Sequence, residues 1–318
     1  MLVTAVIPGY NHAPYLRERI ESVLLQDYEE LEVVLLDDCS TDGSADLMRE
    51  YACGKRDRHG RQVRFVANES NSGNTFLQWN KGVALARGEY VWIAESDDVA
   101  EPNFLSECMA RLKATPEAVL AFTWSDIVGS DTSPLNLRWD EPWRYRPPGV
   151  YEGQDFCLRR MVYKNLLYNA SMVVFRKDCY ERVSPRFMQY RHCGDWLFWF
   201  ELCRQGRVCE VPLRLNKFRQ HIHKVSNAAR SSGTDFAEMA EIQTLISEAL
   251  RLSPYRMRCL RGRQTKRIRR ALRRSDDAAY GDYLRALQGR FPAIYGGNLL
   301  DVALYTVDKL FNFSHMKR

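Results

Sequence analysis

The sequence predicts an α/β protein with a mostly parallel sheet, helices on both faces of that sheet, and a helical tail at the C-terminal end. Short apolar runs alternate with helical patterns over the first hundred residues, which is typical of parallel sheets. Polar residues follow each predicted strand directly. Hydrophobic residues make up 45% and charged residues 27% of the 318 residues, which indicates a folded chain.

The alternation places the elements in order. Apolar runs predict the strands, and apolar residues at helical spacing predict the helices between them. After 119–122 the alternation stops, and residues 124–150, rich in Trp, Pro, Arg and Asp, are expected to form a long surface excursion. The predicted strands are 2–7, 31–36, 63–67, 90–94, 119–122, 171–175 and 208–218, and the predicted helices are 14–26, 44–51, 75–86, 102–114, 195–204 and the tail from 231 onward.

Several classes of protein are disfavoured by what the sequence lacks. No apolar run approaches the roughly 20 residues of a membrane span, and 2–7 is too short for the core of a signal peptide. The nine cysteines are scattered without a C-x-x-C pair, which favours reduced thiols over a disulfide framework or a zinc ribbon. Neither G-x-G-x-x-G after the first strand nor G-x-x-x-x-G-K-[ST] occurs, which disfavours NAD enzymes and P-loop NTPases.

Positive charge is concentrated in one segment. Residues 251–274 hold eleven Lys or Arg and no acid, and without these eleven the net charge of +6 becomes −5. We expect an anionic partner for this segment: a lipid surface, a nucleic acid or an acidic glycan. The alternative is a solvated charged helix.

Acidic clusters are expected at one edge of the sheet, since ligands of open parallel sheets bind at the carboxyl ends of the strands. Tyr10 and Asn11 follow the first strand, residues 37–42 the second, and residues 95–98 the fourth. Carboxylates in such a cluster repel one another, so a cation or a donor-rich ligand is expected there. Mg²⁺ and Mn²⁺ prefer oxygen ligands and commonly bridge a carboxylate to a diphosphate.

The order and spacing of these motifs resemble family-2 inverting glycosyltransferases of the GT-A fold. The resemblance covers roughly residues 2–228, and no family motif matches the last ninety residues or so. The chain departs from the family pattern at Gly9, often Thr, at Trp79, often Arg, and at Gly194, often Glu. The motifs that carry the resemblance are 7–11, 37–42, 71–73, 86–90, 95–98, 194–196 and 219–221 with Ser226.

The resemblance implies a metal-dependent hexosyl- or hexosaminyltransferase in surface polysaccharide synthesis. It would move a sugar from a nucleotide-diphosphate donor to a hydroxyl of a glycan or lipid-linked glycan. Among such donors, a UDP-sugar is the one expected. The implied domains are 1–228, with a nucleotide-binding half at 1–115 and an acceptor-binding half at 116–228, and a basic helical extension at 229–318.

The resemblance also implies which residues bind the nucleotide-sugar. Asp38 would accept the imide N–H of the base in a charge-assisted hydrogen bond, and Tyr10 would lie against the base. A turn acid before the helix at 44 is the alternative for Asp38, and for Asp42 a turn or capping role is favoured. Lys81 can replace the cation missing at Trp79, and a solvated lysine on the helix surface is the alternative. The implied donor-binding residues are Pro8, Tyr10, Asn11, Asp38, Asn80, Glu95, Ser96 and Asp98.

The implied cofactor is Mn²⁺ or Mg²⁺, held by Asp97 and His221. Neutral imidazole ligates Mn²⁺ well, although His223 is only two residues away and an ordinary surface histidine is the alternative. Asp195 is the implied catalytic base. It precedes an apolar helix, so its alternative is the helix N-cap, a place that would also keep the carboxylate ionised.

The expected location is cytoplasmic, peripheral at the inner face of the cell membrane. Residues 251–274 would approach an anionic membrane surface, and the apolar end of the tail would anchor it or form a homo-oligomer. Nucleic acid is not expected as a partner. Two rivals stay open: a non-catalytic nucleic-acid-binding protein that uses the Arg-rich tail, and a retaining or nucleotidyl-transferring relative on the same scaffold.

Overall fold

The structure, a computed structural model, describes residues 1–54, 60–135, 137, 149–221, 234–274 and 277–315. The chain divides into two units, each with its own internal packing. The domain bounds expected from the sequence stay predictions. Unit 1 consists of Met1–Asp140, Pro148–Gly153 and Leu167–His221, and unit 2 of Glu141–Pro147, Gln154–Leu166 and Ile222–Arg318.

The first half of unit 1 shows the predicted alternation of strands and helices. The first two strands are buried along their whole length, as expected for strands covered on both faces. The elements are β1 (Val3–Gly9), α1 (Ala13–Leu24), β2 (Leu31–Asp37), α2 (Ser44–Ala52), β3 (Gln62–Ala67), α3 (Thr75–Leu85), β4 (Tyr90–Ile93), β5 (Val99–Ala100), α4 (Phe104–Ala114) and β6 (Ala118–Val128).

Shorter elements follow before the chain returns to the sheet. Turns of 3-10 helix at Ala170–Met172 and Pro185–Gln189, and a π-helical turn at Cys157–Met161, lie between them. The strands and α-helices are β7 (Val150–Glu152), α5 (Gly153–Phe156), β8 (Val173–Arg176), α6 (Lys177–Tyr180), α7 (Gly194–Cys203) and β9 (Arg207–Arg219).

The described strands form one sheet with the order β3-β2-β1-β4-β8-β6-β9-β5, and β7 pairs with β9. Strands β1 to β4 are parallel where they pair, whereas β8 runs antiparallel between β4 and β6. Gly9 lies beside Asp37, and Asp37 beside Ala67. The loops after β1, β2 and β3 therefore leave the sheet at the same edge.

Apolar side chains cover both faces of this sheet, because successive residues of a strand point to opposite sides. Val174 of β8 belongs to the core that also contains Leu16 and Ile20 of α1. Its neighbour Phe175 contacts Phe198 and Trp199 of α7 on the opposite side. The predicted α/β fold with helices on both faces is thus confirmed.

Besides β7, which was not predicted and pairs with β9, two details of the sheet differ from the prediction. Residues 124–128 were expected in the surface excursion, but they continue β6 and pair with β9. The short strand β5 was not predicted, and it pairs with Lys217 and Asn216 of β9. Because both segments are short or mixed in polarity, they lack the apolar periodicity from which strands are predicted. Residues 136 and 138–148 of the expected excursion lie outside the described residues.

The described part of unit 2 is helical from residue 234 on. Its last helix packs against the helix that contains the basic residues 254–274. A Cβ at Gly262 would lie 2.0 Å from the Asp301 carbonyl oxygen, so any side chain at this position would prevent the close approach of the two helices. Among the described residues, no helix is both long and apolar enough to cross a membrane. The helices are α8 (Thr234–Ala249), α9 (Pro254–Arg274), α10 (Ala278–Arg290), α11 (Pro292–Tyr295) and α12 (Leu299–His315).

Candidate active site

The loops after β1 and β2 are joined by hydrogen bonds. The Asn11 N–H donates to Ser40 Oγ at 3.0 Å, and Asn11 Oδ1 accepts from the Thr41 N–H at 2.8 Å. Asn11 and Cys39 have φ values of 52° and 66°, which residues other than glycine rarely adopt. Such conformations persist where surrounding contacts enforce them, and they are concentrated at ligand sites. The two loops thus form one preformed edge.

Asp42 fastens the same edge to the start of α1. Its Oδ1 accepts from the Ser44 N–H and hydroxyl, and its Oδ2 accepts from the Ala13 N–H at 2.9 Å. Partial burial favours the protonated acid, but these hydrogen bonds outweigh it and lower the pKa of Asp42. The contacts agree with the local turn role expected for Asp42.

Asp38 is buried at this edge and is held by donors from the loop after β3 and from α3. Its Oδ1 accepts from Asn68 Nδ2, from the Ser72 N–H at 2.9 Å and from Gln78 Nε2 at 2.9 Å. Its Oδ2 accepts from Ser72 Oγ at 2.7 Å. Oδ1 thus takes three of these four donors and Oδ2 only one, so Oδ2 is the less engaged of the two carboxylate oxygens.

The end of β1 lies against Asp38 at the end of β2. The Gly9 carbonyl accepts from the Asp38 N–H at 2.9 Å, which brings the turn after β1 against the end of β2. Pro8 is buried within β1, whereas the Tyr10 side chain is 46% exposed. An exposed aromatic ring can lie against a flat base, and the role implied for Tyr10 in base binding stays a prediction.

Asn80 and Lys81 are neighbours on α3 but contact different groups. Asn80 is exposed, and its Oδ1 accepts from the Tyr180 hydroxyl at 2.6 Å. Lys81 Nζ donates to Asn68, which itself donates to Asp38. Among the described residues, the hydrogen-bond network of Asp38 thus includes Lys81 rather than Asn80. The nucleotide role of Asn80 stays a prediction.

Asp98 is fully buried after β4 and joins three parts of unit 1. Its Oδ2 accepts from Asn169 Nδ2 at 2.7 Å and from Ser171 Oγ at 2.6 Å, and its Oδ1 accepts from the Arg219 N–H at 3.0 Å. A buried carboxylate with this set of donors anchors the loop 95–98 to β9. The expected contact of Asp98 with the donor stays a prediction, and the structure shows an anchor.

Asp97 and His221 meet although 124 residues separate them. Asp97 Oδ2 lies 3.0 Å from His221 Nε2, and each residue is 8% exposed. The His221 ring also lies against Tyr15 of α1, with ring centroids 5.0 Å apart. The two residues implied as metal ligands are therefore brought together. His223, the other candidate, lies outside the described residues.

His12 is a second histidine beside this pair that the sequence did not single out. Its Nδ1 lies 2.7 Å from the hydroxyl of Ser96, another predicted donor-binding residue. Its ring meets the edge of His221 at 5.7 Å between centroids. A histidine after P-x-Y-N carries no signal of its own, because only the fold brings the loop after β1 to the loop after β4.

Arg219 ties the acid loop to the rest of the site. Its side chain is almost fully buried, and Nε donates to the Asp97 carbonyl at 2.7 Å. One terminal nitrogen donates to the Ser130 carbonyl and Thr132 Oγ1, both at 2.8 Å, and the other to Glu18 of α1 at 2.6 Å. Charge-assisted bonds of this number fix the backbone on which Asp97 is carried.

Arg19, one residue after Glu18, is another buried cation. Its guanidinium is fully buried, lies over the Trp92 ring at 4.8 Å, and has no hydrogen bond within the described part of the chain. Desolvation lowers its pKa to about 10, while the negative charges of Asp98, Asp97 and Glu95 act in the opposite direction. Arg19 thus supplies positive charge beneath the acid loop.

Glu95 occupies the first position of the acid cluster. Its Oε1 accepts from Trp79 Nε1 at 2.7 Å, and its N–H donates to Ser171 Oγ at 3.0 Å. Trp79 stands where the family often has an arginine. The indole therefore orients a carboxylate at the place where a cation was expected.

Asp97 and His221 supply two donor types that a divalent metal takes in proteins, a carboxylate oxygen and an imidazole nitrogen. These two atoms lie 3.0 Å apart, which is a hydrogen-bond distance. Within the described ranges, no three His, Cys, Asp or Glu side chains are grouped as a metal site. Such metals usually take one or two protein carboxylates together with substrate phosphates.

Asp195 lies in the first turn of α7, and not at its N-cap as the alternative had it. Cys193 is the N-cap, and Asp195 Oδ1 accepts from the Trp196 N–H at 2.8 Å. A Cβ at Gly194 would lie 2.2 Å from the Phe187 carbonyl oxygen, so only glycine allows this close approach. A carboxylate in the first turn is stabilised in its ionised form by the helix N-terminus.

The start of α7 is adjacent to the loop that holds Asp38. Asn74 caps α3, and its Nδ2 donates to the Met188 carbonyl at 2.8 Å and the Tyr190 carbonyl at 3.1 Å. The segment 185–190 leads directly into α7. The catalytic role of Asp195 stays a prediction.

Fold and site together define an α/β protein of the GT-A class, with acids and donors at the carboxyl ends of its parallel strands. The model of glycosyl transferase family 2 matches residues 4–180, and the chain belongs to this family. The family resemblance drawn from the motifs is thus confirmed.

Relatives and solved structures agree with this assignment. An uncharacterized glycosyltransferase of Haemophilus influenzae is 25% identical over 229 residues, which cover 71% of this chain and 68% of the relative. Glycosyltransferase GlyG of Streptococcus pneumoniae is 28% identical, covering 52% of this chain and 49% of GlyG. The putative teichuronic acid biosynthesis glycosyltransferase TuaG of Bacillus subtilis is 30% identical, covering 42% of this chain and 51% of TuaG. The matches thus span only about half of GlyG and TuaG.

The fold is also that of S. aureus TarS. The crystal structure of TarS 1–349 in complex with UDP-GlcNAc superposes with a TM-score of 0.62 at 18% identity, covering 100% of this chain and 82% of the other. At this level of identity the likeness concerns the fold.

Proposed function

We propose that this glycosyltransferase moves a sugar from a UDP-sugar to an acceptor hydroxyl, with inversion at the anomeric carbon. The observation that carries the proposal is the meeting of Asp97 and His221 beside a preformed edge that also holds Asp38. One edge of the sheet thus offers both a diphosphate-metal site and a base site. The TarS complex with UDP-GlcNAc, on the same fold, supports a UDP-linked donor.

Asp38 would select the base. Its Oδ2 would accept the imide N–H of uracil, a donor that cytosine lacks, while Asn68, Ser72 and Gln78 hold the carboxylate in place. Tyr10 would lie against the base, with Pro8 and Asn11 shaping the backbone beside it. Glu95 and Ser96 would contact the remainder of the donor.

Asp97 and His221 would hold Mn²⁺ or Mg²⁺ on the diphosphate. The metal, when bound, neutralises the charge that develops on the leaving diphosphate. Arg219 fixes the backbone of Asp97, and Tyr15 confines the His221 ring. These contacts keep the two side chains together before the donor arrives.

Asp195 would act as the general base. Its carboxylate takes the proton of the acceptor hydroxyl, and the oxygen forms a bond to the anomeric carbon. The bond from that carbon to the diphosphate breaks, and its electron pair leaves with the diphosphate. General-base help of this kind contributes about 10²–10⁴-fold to the rate.

The acceptor we propose is a hydroxyl of a surface glycan or a lipid-linked glycan, used at the cytoplasmic face of the membrane. The similarity to TuaG, described as a putative teichuronic acid biosynthesis glycosyltransferase, supports a polysaccharide acceptor. The donor sugar does not follow from this similarity.

A screen of nucleotide-sugars tests the proposal. UDP-, GDP-, dTDP- and CMP-sugars are compared, each with Mn²⁺, with Mg²⁺ and with EDTA, by thermal shift and by release of the nucleotide. We expect UDP-sugars to raise the melting temperature and to be hydrolysed slowly with a metal present. Preference for CMP-sugars would contradict the role of Asp38, and a product with the donor's anomeric configuration would favour the retaining rival.

A further inference from the structure

The eleven cations of residues 251–274 divide into two groups in the structure. Five contact other residues of unit 2, Arg251 precedes α9, and the Arg274 side chain lies outside the described residues. Four others, Lys266, Arg269, Arg270 and Arg273, form no hydrogen bond or ion pair within the described part of the chain. The five that are engaged are Arg256, Arg258, Arg261, Arg263 and Arg267.

The four unmatched cations share one face of α9. Their positions, i, i+3, i+4 and i+7, lie on one side of a helix. Arg270 and Arg273 are exposed and Lys266 and Arg269 half-buried, whereas Ile268 is fully buried. This cationic face is therefore directed away from the packing of unit 2.

An apolar stripe on α12 begins next to this cationic face. The Gly297 N–H donates to Thr265 Oγ1 at 2.9 Å, so the residues before α12 lie beside the turn of α9 that precedes Lys266. Leu299 and Leu300 then start α12, 76% and 56% exposed. Val307, two turns further on, is 48% exposed. Leu299 and Leu300 are adjacent, and a contiguous exposed apolar patch, unlike a single exposed leucine, is the kind of surface that marks an interaction site.

We propose that the cationic face of α9 and the exposed leucines of α12 form a docking surface for an anionic lipid membrane. Lipid matches both parts, because anionic headgroups neutralise the cations and the interface accepts the leucine side chains. A nucleic acid would match the cations and leave Leu299 and Leu300 in water. A second copy bound through this face would bring two sets of four cations together.

Binding to vesicles tests the proposal without reference to sugar transfer, so that either can fail alone. The full chain is floated with phosphatidylcholine vesicles that contain 30% phosphatidylglycerol, and with pure phosphatidylcholine vesicles. We expect binding only to the anionic vesicles, with release by salt because surface charges are screened within about 10 Å at 0.1 M. Equal binding to both vesicles, or to neither, overturns the proposal.

Matched variants locate the surface. Each cation near an anionic surface contributes about fivefold to the affinity, so R270Q/R273Q should bind roughly 25-fold more weakly. R285Q/R290Q removes the same charge from α10, where both arginines are ion-paired, and should change binding less than twofold. R270K/R273K should bind like the wild type. Equal loss in the two Gln pairs would show that only net charge matters, which overturns the assigned surface.

The leucines are tested in the same way. Leu299→Ser with Leu300→Ser should weaken vesicle binding several-fold, while Leu25→Ser, at a leucine of unit 1 that is 51% exposed, should not. Unchanged binding of the double serine variant overturns the apolar part. Tighter binding of a 30-nucleotide RNA, lost in R270Q/R273Q, would assign the face to nucleic acid, and a dimer that this double serine variant dissociates would assign it to a second copy.

Discussion

The acids of unit 1 and the cations of unit 2 both begin as like charges crowded along a short stretch of chain, but the fold treats them differently. Asp97 and Asp98 are buried, and their partners come from segments far away in the sequence. On α9 some cations are paired, as Arg258 and Arg261 are with Asp301, while four others stay unmatched. The comparison teaches that charge density in the sequence does not identify a ligand site. What matters is whether the charged groups can still bind a ligand after they have formed their hydrogen bonds and ion pairs in the fold.

The largest effect should come from Asp195. Asp195→Asn keeps the size of the side chain but removes its basicity, so kcat should fall about 10²–10⁴-fold. Binding of UDP, measured by calorimetry, should stay within twofold, because the base acts on the acceptor. Asp178→Asn, an exposed acid of α6, is the control. If Asp195→Asn turned over at the wild-type rate, Asp195 would not be the catalytic base, and its role would be limited to stabilising the first turn of α7.

Removing the buried Arg219 should have the next effect, on stability. Arg219→Met deprives the carbonyls of Asp97 and Ser130 of their donor, at about 1–3 kcal/mol for each group left unsatisfied. Arg214→Met, on the same strand but half-exposed, should cost about 1 kcal/mol. Urea unfolding of both variants measures the difference, and equal costs would show that Arg219 is no anchor.

Variants of Gln78 and Asn80 on α3 test whether the hydrogen-bond network of Asp38 or the sequence motif identifies the residues that bind UDP. Gln78→Met removes a donor to Asp38 and should weaken UDP binding about tenfold, as expected for one hydrogen bond to a charged group. Asn80→Ala should weaken it less than twofold, since Asn80 contacts Tyr180. A larger loss in Asn80→Ala would restore the assignment made from the motif.

The smallest effect should come from unit 2. R270Q/R273Q should leave UDP binding and the turnover of a water-soluble acceptor unchanged, because neither arginine forms a hydrogen bond or ion pair with another described residue. Turnover of a lipid-linked acceptor in anionic vesicles should fall in the same variant. A loss with the soluble acceptor would mean that α9 contributes to catalysis, and the contrast between the two units would be wrong.

Much of this arrangement could be predicted from the sequence, because strand ends in a parallel sheet lie at one edge. Apolar runs located β1, β2 and β4, and so the loops with Tyr10, Asp38 and Asp97. The family motifs added His221, which no local pattern distinguishes. Its 3.0 Å approach to Asp97 depends on β9 returning to the site.

The partners of the acids could not be predicted, because they are polar residues of ordinary type brought in by the fold. Gln78 looks like any helix surface residue, yet it is buried against Asp38. Asp98 and Asp97 are neighbours in the chain, but Asp98 accepts hydrogen bonds from Asn169 and Ser171, whereas Asp97 contacts His221. The family motifs assign Asp97 to the metal and Asp98 to the donor, and no local pattern predicts that Asp98 joins the acid loop to β9.

The central claim is that Asp97 and His221 hold a metal on the nucleotide diphosphate. The most direct test is the affinity for UDP, measured by calorimetry with Mn²⁺ and with EDTA, in the wild type, in Asp97→Asn and in the control Asp126→Asn, an exposed acid of β6. We predict that Mn²⁺ tightens UDP binding at least tenfold in the wild type and the control, and has no effect in Asp97→Asn. An equal gain from Mn²⁺ in Asp97→Asn would contradict the account.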